Sequence, residues 1–250
     1  MTGTQAIDRA AELVALVVRS DGACSFTDLV GRTGLPKSTG SRLLHALERH
    51  QLLERHDDGF RPGALFAVYA ARHEPVAELE RLAGPVLHRI GELTGETVNL
   101  AVPRGQSVVQ IAQVDSRFML GATNWVGVEV PAHCTALGKV FYAFGRIPLP
   151  ATPLERRTAR SPANPAELDR QLSTVRQQGY AVARGELEPG LDAVAAPIRG
   201  AGGEVVAALS VSGHDVRLAD QLEDIGHLLV TETAILSDLL GHQSGTEGAA

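Results

Sequence analysis

The spacing of apolar residues changes period once along the chain, after Gly95. Before it, hydrophobic positions recur every three or four residues, the repeat of a helix with one buried stripe. Ile7, Ala10, Ala11, Val14 and Val17 predict a helix over residues 6–19. "SFTD" then opens a short helix at Ser25, with Asp28 placed to reach back as in a capping box. "RTG" ends it at Gly34, and Pro36 is expected in the first turn of a third helix running to about residue 50, seated on Leu43, Leu44 and Leu47. "LLERHDDGFRPG" reads as strand, turn, strand, with the tip at Asp58-Gly59. Residues 62–93 are again helical, with breaks expected near Pro75 and Pro85 and with Leu65, Phe66 and Tyr69 available to bury against a partner. After Gly95 the pattern alternates: "ETVNLAVPRGQSVVQIAQV" predicts a hairpin turning at Arg104-Gly105. Further strands are expected near 118–123, 180–183, 192–198 and 204–212, and helices over 135–144, 166–178 and 216–240. Strands with interspersed helices indicate an α+β domain with an antiparallel sheet.

A short helix, a glycine turn, a longer helix and a two-stranded wing form a winged helix-turn-helix, a specific combination. The third helix then has a chemical reading. Its outer face carries Lys37, Ser38, Ser41, Arg42 and His45. In such units the second helix enters the major groove, where short hydroxyls permit close approach and cations meet phosphates or a guanine edge. Ser25 at the preceding helix start, Thr39, and Arg55 and Arg61 on the wing complete the candidate DNA-binding set. The competing reading, a merely solvated helix face, is weakened by the wing.

Charge agrees once it is divided. Residues 1–62 hold eight Lys/Arg and eight Asp/Glu, so the whole of the net −6 lies after residue 62. A neutral module on an acidic protein suits an anionic polymer as partner. No apolar run approaches the ~20 residues of a membrane span. The N-terminal stretch lacks the basic region of a signal peptide. Two distant cysteines, Cys24 and Cys134, fit a reducing compartment rather than a disulfide scaffold or zinc site, and a cytoplasmic protein without metal or cofactor is expected.

"GLPKSTGSRLLHALERHQLLER" with "FRPG", followed in order by "TGETVNLAV", "VDS", "PAHCTALGKV", "GYAVARGELEPGLDAVAAPI" and "VVAALSVSG", resembles the IclR family of bacterial transcriptional regulators over nearly the whole chain. The resemblance implies a winged helix-turn-helix domain over 1–62, linker helices over 63–94 that help form a dimer, a GAF-like effector domain over 95–242 and a disordered tail over 243–250. It implies no enzymatic activity, a homodimer or dimer of dimers on a palindromic operator, and a repressor or activator controlled by a small-molecule effector bound in the C-terminal domain. Gly40 departs from the family, which usually has Val or Ala there; a close contact or a looser helix would each account for it.

Within the effector domain, His133-Cys134 suggests a thiol nucleophile and base, but sequence neighbours rarely point at each other. "HCTALGK" instead reads as a helix start whose amides face a cavity and suit a carboxylate, or as a capped core helix. Ser210 and Ser212 share one face of a strand, as a polar pocket wall or as the solvent side of an edge strand. Trp125 is read first as a half-buried anchor of a surface loop and second as the mouth of a pocket. By resemblance the effector-contacting positions are Met119, Ala122, Ala136, Leu137, Ala183, Leu191, Ala193, Ser210 and Ser212. A glyoxylate- and pyruvate-responsive family member has aspartate where this chain has Ala183 and a small residue where it has Leu137. Loss of that carboxylate implies a different effector, such as an aromatic acid, a sugar derivative or a polyol. The alternative from another class is an enzyme or ligand-storage domain with an accessory helical module, which nothing resembling a triad, metal set or phosphate loop supports.

Overall fold

The computed structural model describes residues 3–20, 22–72, 75–118, 123–151 and 153–242. The chain divides into two units between Glu78 and Leu79.

The first unit is built on α1 (Gly3–Val18), α2 (Phe26–Thr33) and α3 (Lys37–Arg49), followed by β1 (Leu53–His56), β2 (Gly59–Pro62) and α4 (Ala64–Arg72). Its core gathers Leu13, Val17, Leu29, Leu44, Leu47, Leu53 and Phe60. Burying each large aliphatic side chain contributes roughly 1.5–3 kcal/mol. Ser25 caps α2 as expected, accepting from the Asp28 amide at 3.1 Å; the return contact, however, runs from the Ser25 hydroxyl to Asp28 Oδ2 at 2.6 Å. Gly34 closes α2 in the left-handed region at φ 62°. Pro36 sits one position earlier than expected, as the residue before α3 rather than in its first turn, with an extended ψ of 137°.

The wing tip also moves by one. His56 pairs with Gly59, so Asp57 and Asp58 form the loop and Gly59 opens β2. Gly59 has φ 138°, and a side chain there would strike the Cys24 carbonyl, because Cys24 and Phe60 form an antiparallel bridge that extends the wing. That bridge anchors β2 to the segment before α2 by two backbone hydrogen bonds of 2.9 and 2.8 Å. Gly40 is explained by packing. It is buried, and an added Cβ would lie 2.7 Å from Val30 Cγ2, so the glycine lets α3 approach α2 and a loosened helix is not its reason.

The second unit starts within α5 (Pro75–Thr94), where Pro85 lies inside the helix instead of breaking it. Leu79, Ala83, Val86, Leu87 and Ile90 are all buried, and this continuous apolar stripe outweighs the hydrogen bond a proline removes. The remaining elements are β3 (Thr97–Arg104), β4 (Ser107–Val114), β5 (Glu129–Pro131), a single 3-10 turn (Ala132–Cys134), α6 (Ala136–Ala143), α7 (Pro165–Gln178), β6 (Ala181–Arg184), β7 (Leu191–Arg199), β8 (Val205–His214), α8 (Asp215–Leu218) and α9 (Leu222–Leu239). The six strands form one antiparallel sheet in the order β5-β4-β3-β8-β7-β6.

Strand alternation sorts the residues into two cores. Val98, Leu100, Val194, Ala196, Leu209 and Val211 face α5 and α9. Ala101, Val108, Ala181, Ala183, Ala195 and Ala208 face α6 and α7. The smaller residues on the second face leave space there. A bulge between Leu100 and Ala101 shifts the β3–β4 register. The hairpin loop is Gly105-Gln106, one residue later than expected, since Arg104 pairs with Ser107. The helix expected over 216–240 is two, because α8 ends at Leu218 and α9 restarts at Leu222, which lets Leu218 and Leu222 both reach the core. β5, only three residues long, carried no alternation to read. Most of the strand expected near 118–123, and the expected tail over 243–250, lie outside the described residues.

Candidate functional site

The side chains singled out from the sequence gather in two places, one in each unit. On α3 the buried positions are Gly40, Leu44 and Leu47. The exposed positions Ser38, Arg42, His45 and Arg49 follow at i, i+4, i+7 and i+11, a single stripe along the helix. Lys37 is exposed at the first turn; Thr39 and Ser41 are half-buried at its two flanks. Ser41 and His45 share a groove with Arg55 of the wing, while Thr39, Arg42 and Arg49 share another with Arg9 of α1. Arg49 was absent from the sequence-based set although its spacing from Arg42, seven residues, marks it. Three members of that set, Ser25, Arg61 and His45, have intramolecular partners among the described residues. Ser25 spends its hydroxyl on the α2 cap, and Arg61 holds Asp58 at 2.7 Å, which keeps the Asp58 carboxyl below the usual carboxylate range. His45 Nδ1 lies 3.3 Å from Glu48.

In the second unit a cavity with an empty volume of about 510 Å³, its open mouth included, lies between the sheet and the start of α6. Ala136, Leu137, Ala183, Leu191, Ala193, Ser210 and Ser212, all expected there, line it together. Met119 and Ala122 lie outside the described residues. β8 is flanked by β3 and β7, so Ser210 and Ser212 are not on an edge strand; Ser210 is buried. Trp125 is half-buried and lines the cavity, so both readings of it hold. Asn99, Gln110 and Thr135 also line it and were not anticipated from sequence. Asn99 and Gln110 stand at the polar positions of the β3 and β4 alternation, between Val98 and Leu100 and between Val109 and Ile111, so the sequence offered no signal that they face a buried cavity.

The α6 start is both a capped core helix and a cavity wall. Thr135 Oγ1 accepts from the Gly138 amide at 3.1 Å, and every residue of α6 is buried. The first amides of a helix have no intrahelical acceptor, and Ala136 and Leu137, the first two residues of α6, line the cavity. Gly138 has no room for a side chain because the Ala132 carbonyl presses against it.

Behind this wall Lys139 is 2 % exposed and donates to Glu186 Oε1 at 2.6 Å and the Val182 carbonyl at 2.9 Å. Burial pushes its ammonium below the usual range and Glu186 pulls it back up. Ser161 and Thr158 hold the Glu186 and Gly185 carbonyls at 2.6 and 2.7 Å. Together they fasten the segment between β6 and β7, whose Leu187 lines the cavity. His133 and Cys134 form no nucleophile-base pair. The His133 ring contacts the Glu155 carbonyl at 2.7 Å, and burial pushes the Cys134 thiol up to about 11, away from thiolate chemistry. Among the described residues no three His, Cys, Asp or Glu gather to hold a metal, and no helix is long and apolar enough to cross a membrane.

A winged helix-turn-helix joined in one chain to a cavity-bearing α/β domain defines a DNA-binding regulator that carries its own sensor. The IclR helix-turn-helix domain matches residues 6–57 and the C-terminal domain of bacterial transcriptional regulators of the IclR type matches residues 75–234. The chain belongs to the IclR family of bacterial transcriptional regulators. It is 31% identical over 233 residues to the HTH-type transcriptional regulator BhcR of Paracoccus denitrificans, covering 87% of this chain and 80% of that one. Among solved structures it resembles the Agobacterium tumefaciens repressor BlcR at a TM-score of 0.70 and 27% identity, covering 98% of this chain and 100% of the other. An IclR homologue from Microbacterium hydrocarbonoxydans, solved in complex with 4-hydroxybenzoate, has a TM-score of 0.60 and 25% identity, covering 94% of this chain and 98% of that one.

Proposed function

We propose that this regulator, in the cytoplasm, reads a palindromic operator as a homodimer or dimer of dimers, and that a small organic acid in the cavity shifts it between DNA-competent and DNA-incompetent states. Lys37, Ser38, Thr39, Ser41, Arg42, His45 and Arg55 enter or flank the major groove, Arg61 contacts phosphate from the wing, and Ser25 orders α2 beside it. A two-fold operator follows from a module too small to read a long site alone. The chain performs no catalysis on its effector.

The observation that carries the effector reading is the cavity lining: neutral side chains, small residues where the sheet faces it, and the first two residues of α6, whose amides have no intrahelical acceptor. A carboxylate suits those amides and the positive end of the helix dipole. Ala136, Leu137, Ala183, Leu191, Ala193, Ser210 and Ser212, with Met119 and Ala122, surround the ligand. An aromatic acid fits better than a sugar derivative or a polyol, as the relative bound to 4-hydroxybenzoate supports. Glyoxylate and pyruvate are poor candidates because Ala183 offers them no charged or hydrogen-bonding partner.

The test is operator binding, followed by fluorescence anisotropy on duplex from the upstream region of the gene, with candidate acids titrated in. Coupling between two sites is typically 5- to 150-fold, so an effector should change operator affinity by at least about fivefold. Ser210→Leu, which fills the cavity, should remove that response. An acid that binds the protein yet leaves operator affinity unchanged would refute the reading.

A further inference from the structure

The sheet face under the cavity has two halves. On β4, β3 and β8 it is polar, with Gln110, Asn99, Ser210 and Ser212 on three adjacent strands; on β7 and β6 it is apolar, with Ala193 and Ala183. Asn99 and Gln110 are 2% and 6% exposed. Asn99 Oδ1 and Gln110 Oε1 have no hydrogen-bond partner among the described residues. The Asn99 amide nitrogen lies 3.4 Å from Ser212 Oγ, a long contact that leaves its oxygen unused.

Burying an amide without a partner destabilises a fold, and Val108, an aliphatic residue on the same face of β4, shows what the layer otherwise holds. Two such groups lining one cavity are spare hydrogen-bonding capacity. Their chemistry restricts the partner. A hydroxyl donates and accepts, so it satisfies a terminal amide whichever way its oxygen and nitrogen are turned. A carboxylate only accepts and an ammonium only donates. No charged side chain lines the cavity among the described residues, so an ionic group in this half would have no counter-charge.

We propose that Asn99 and Gln110 are specificity-determining residues that select an effector carrying at least one hydroxyl besides its carboxylate: a hydroxylated organic acid. This rests on the cavity being the effector site.

The experiment is isothermal titration of the full chain with matched acids that differ by one hydroxyl: 4-hydroxybenzoate and 3-hydroxybenzoate against benzoate, and 3-hydroxybutyrate against butyrate. In at least one pair the hydroxylated member should bind about tenfold or more tightly, as expected when the alternative leaves a buried amide unpaired. Asn99→Leu combined with Gln110→Met should erase that preference by weakening the hydroxylated member, with the deoxy member held as tightly or more so. The double variant should also melt at or above the temperature of the unaltered chain, because the amides serve the ligand rather than the fold. Binding without hydroxyl preference, a preference that survives the double variant, or a large drop in melting temperature overturns the proposal and leaves the cavity reading standing. No binding of any member overturns both.

Discussion

Along α3, Ser38, Arg42, His45 and Arg49 stand exposed in one stripe, whereas in the second unit Asn99, Gln110, Ser210 and Lys139 are buried. Polar and charged side chains thus stand in two environments, one exposed and one buried. A duplex is a polymer met at a surface, and its phosphates reward cations that remain hydrated until contact. A small molecule must be enclosed, so the groups that recognise it carry a folding cost whenever the site is empty. Truncating a polar residue should therefore leave stability nearly unchanged in the first unit and change it in the second.

The largest effect is expected at the Lys139–Glu186 pair. Lys139→Ala leaves Glu186 buried without its cation, and removing one partner of such a pair costs about 3–5 kcal/mol. Denaturant unfolding should show that loss, and the double change Lys139→Met with Glu186→Leu should recover most of it. On the other side of the comparison, Arg42→Ala should leave the melting temperature within experimental scatter and weaken operator binding by about 1–3 kcal/mol, read by anisotropy. Equal loss of stability at Arg42 would break the contrast.

Gly40→Ala sharpens it, since it is a packing change in the module where the polar changes are silent. The added methyl meets Val30 Cγ2 and should cost about 1–3 kcal/mol despite the better helix propensity of alanine, with Val30→Ala restoring stability in the pair. The smallest effect is at Asp192, which is 3% exposed and has an unpartnered Oδ1. Burial pushes its carboxyl above the ordinary range, with Arg184 opposing and Asp215 adding. A carboxyl that holds its proton more tightly when folded favours the native state at acid pH and loses that contribution as pH rises through its native pKa. Asp192→Asn should thus melt slightly higher than the unaltered chain near neutral pH, with the difference closing in acid.

The helix-turn-helix was legible because its signals are local. The Ser25 cap, the Gly34 turn and the spacing of Leu44 and Leu47 each act within a few residues. Strands β6, β7 and β8 were placed within a residue or two by alternation for the same reason. What escaped depends on partners distant in sequence. Nothing near Pro85 says that a sheet will hold the helix through it, and nothing near Gly40 names Val30. Asn99 and Gln110 read as ordinary polar positions of alternating strands until β3 and β4 bring them under one cavity, and Lys139 acquires its partner 47 residues away. Seven of the nine expected effector positions were found together at that cavity, carried there by resemblance rather than by spacing.

The most direct measurement is fluorescence anisotropy of the full chain and of Arg42→Ala on upstream duplex against scrambled duplex across a salt series. The account predicts that the unaltered chain prefers its upstream duplex, with an affinity that falls as a power of salt concentration, and that Arg42→Ala loses the preference while keeping a salt-dependent residue of non-specific binding. Undiminished preference in the variant would contradict the placing of Arg42 and of the α3 stripe at the DNA.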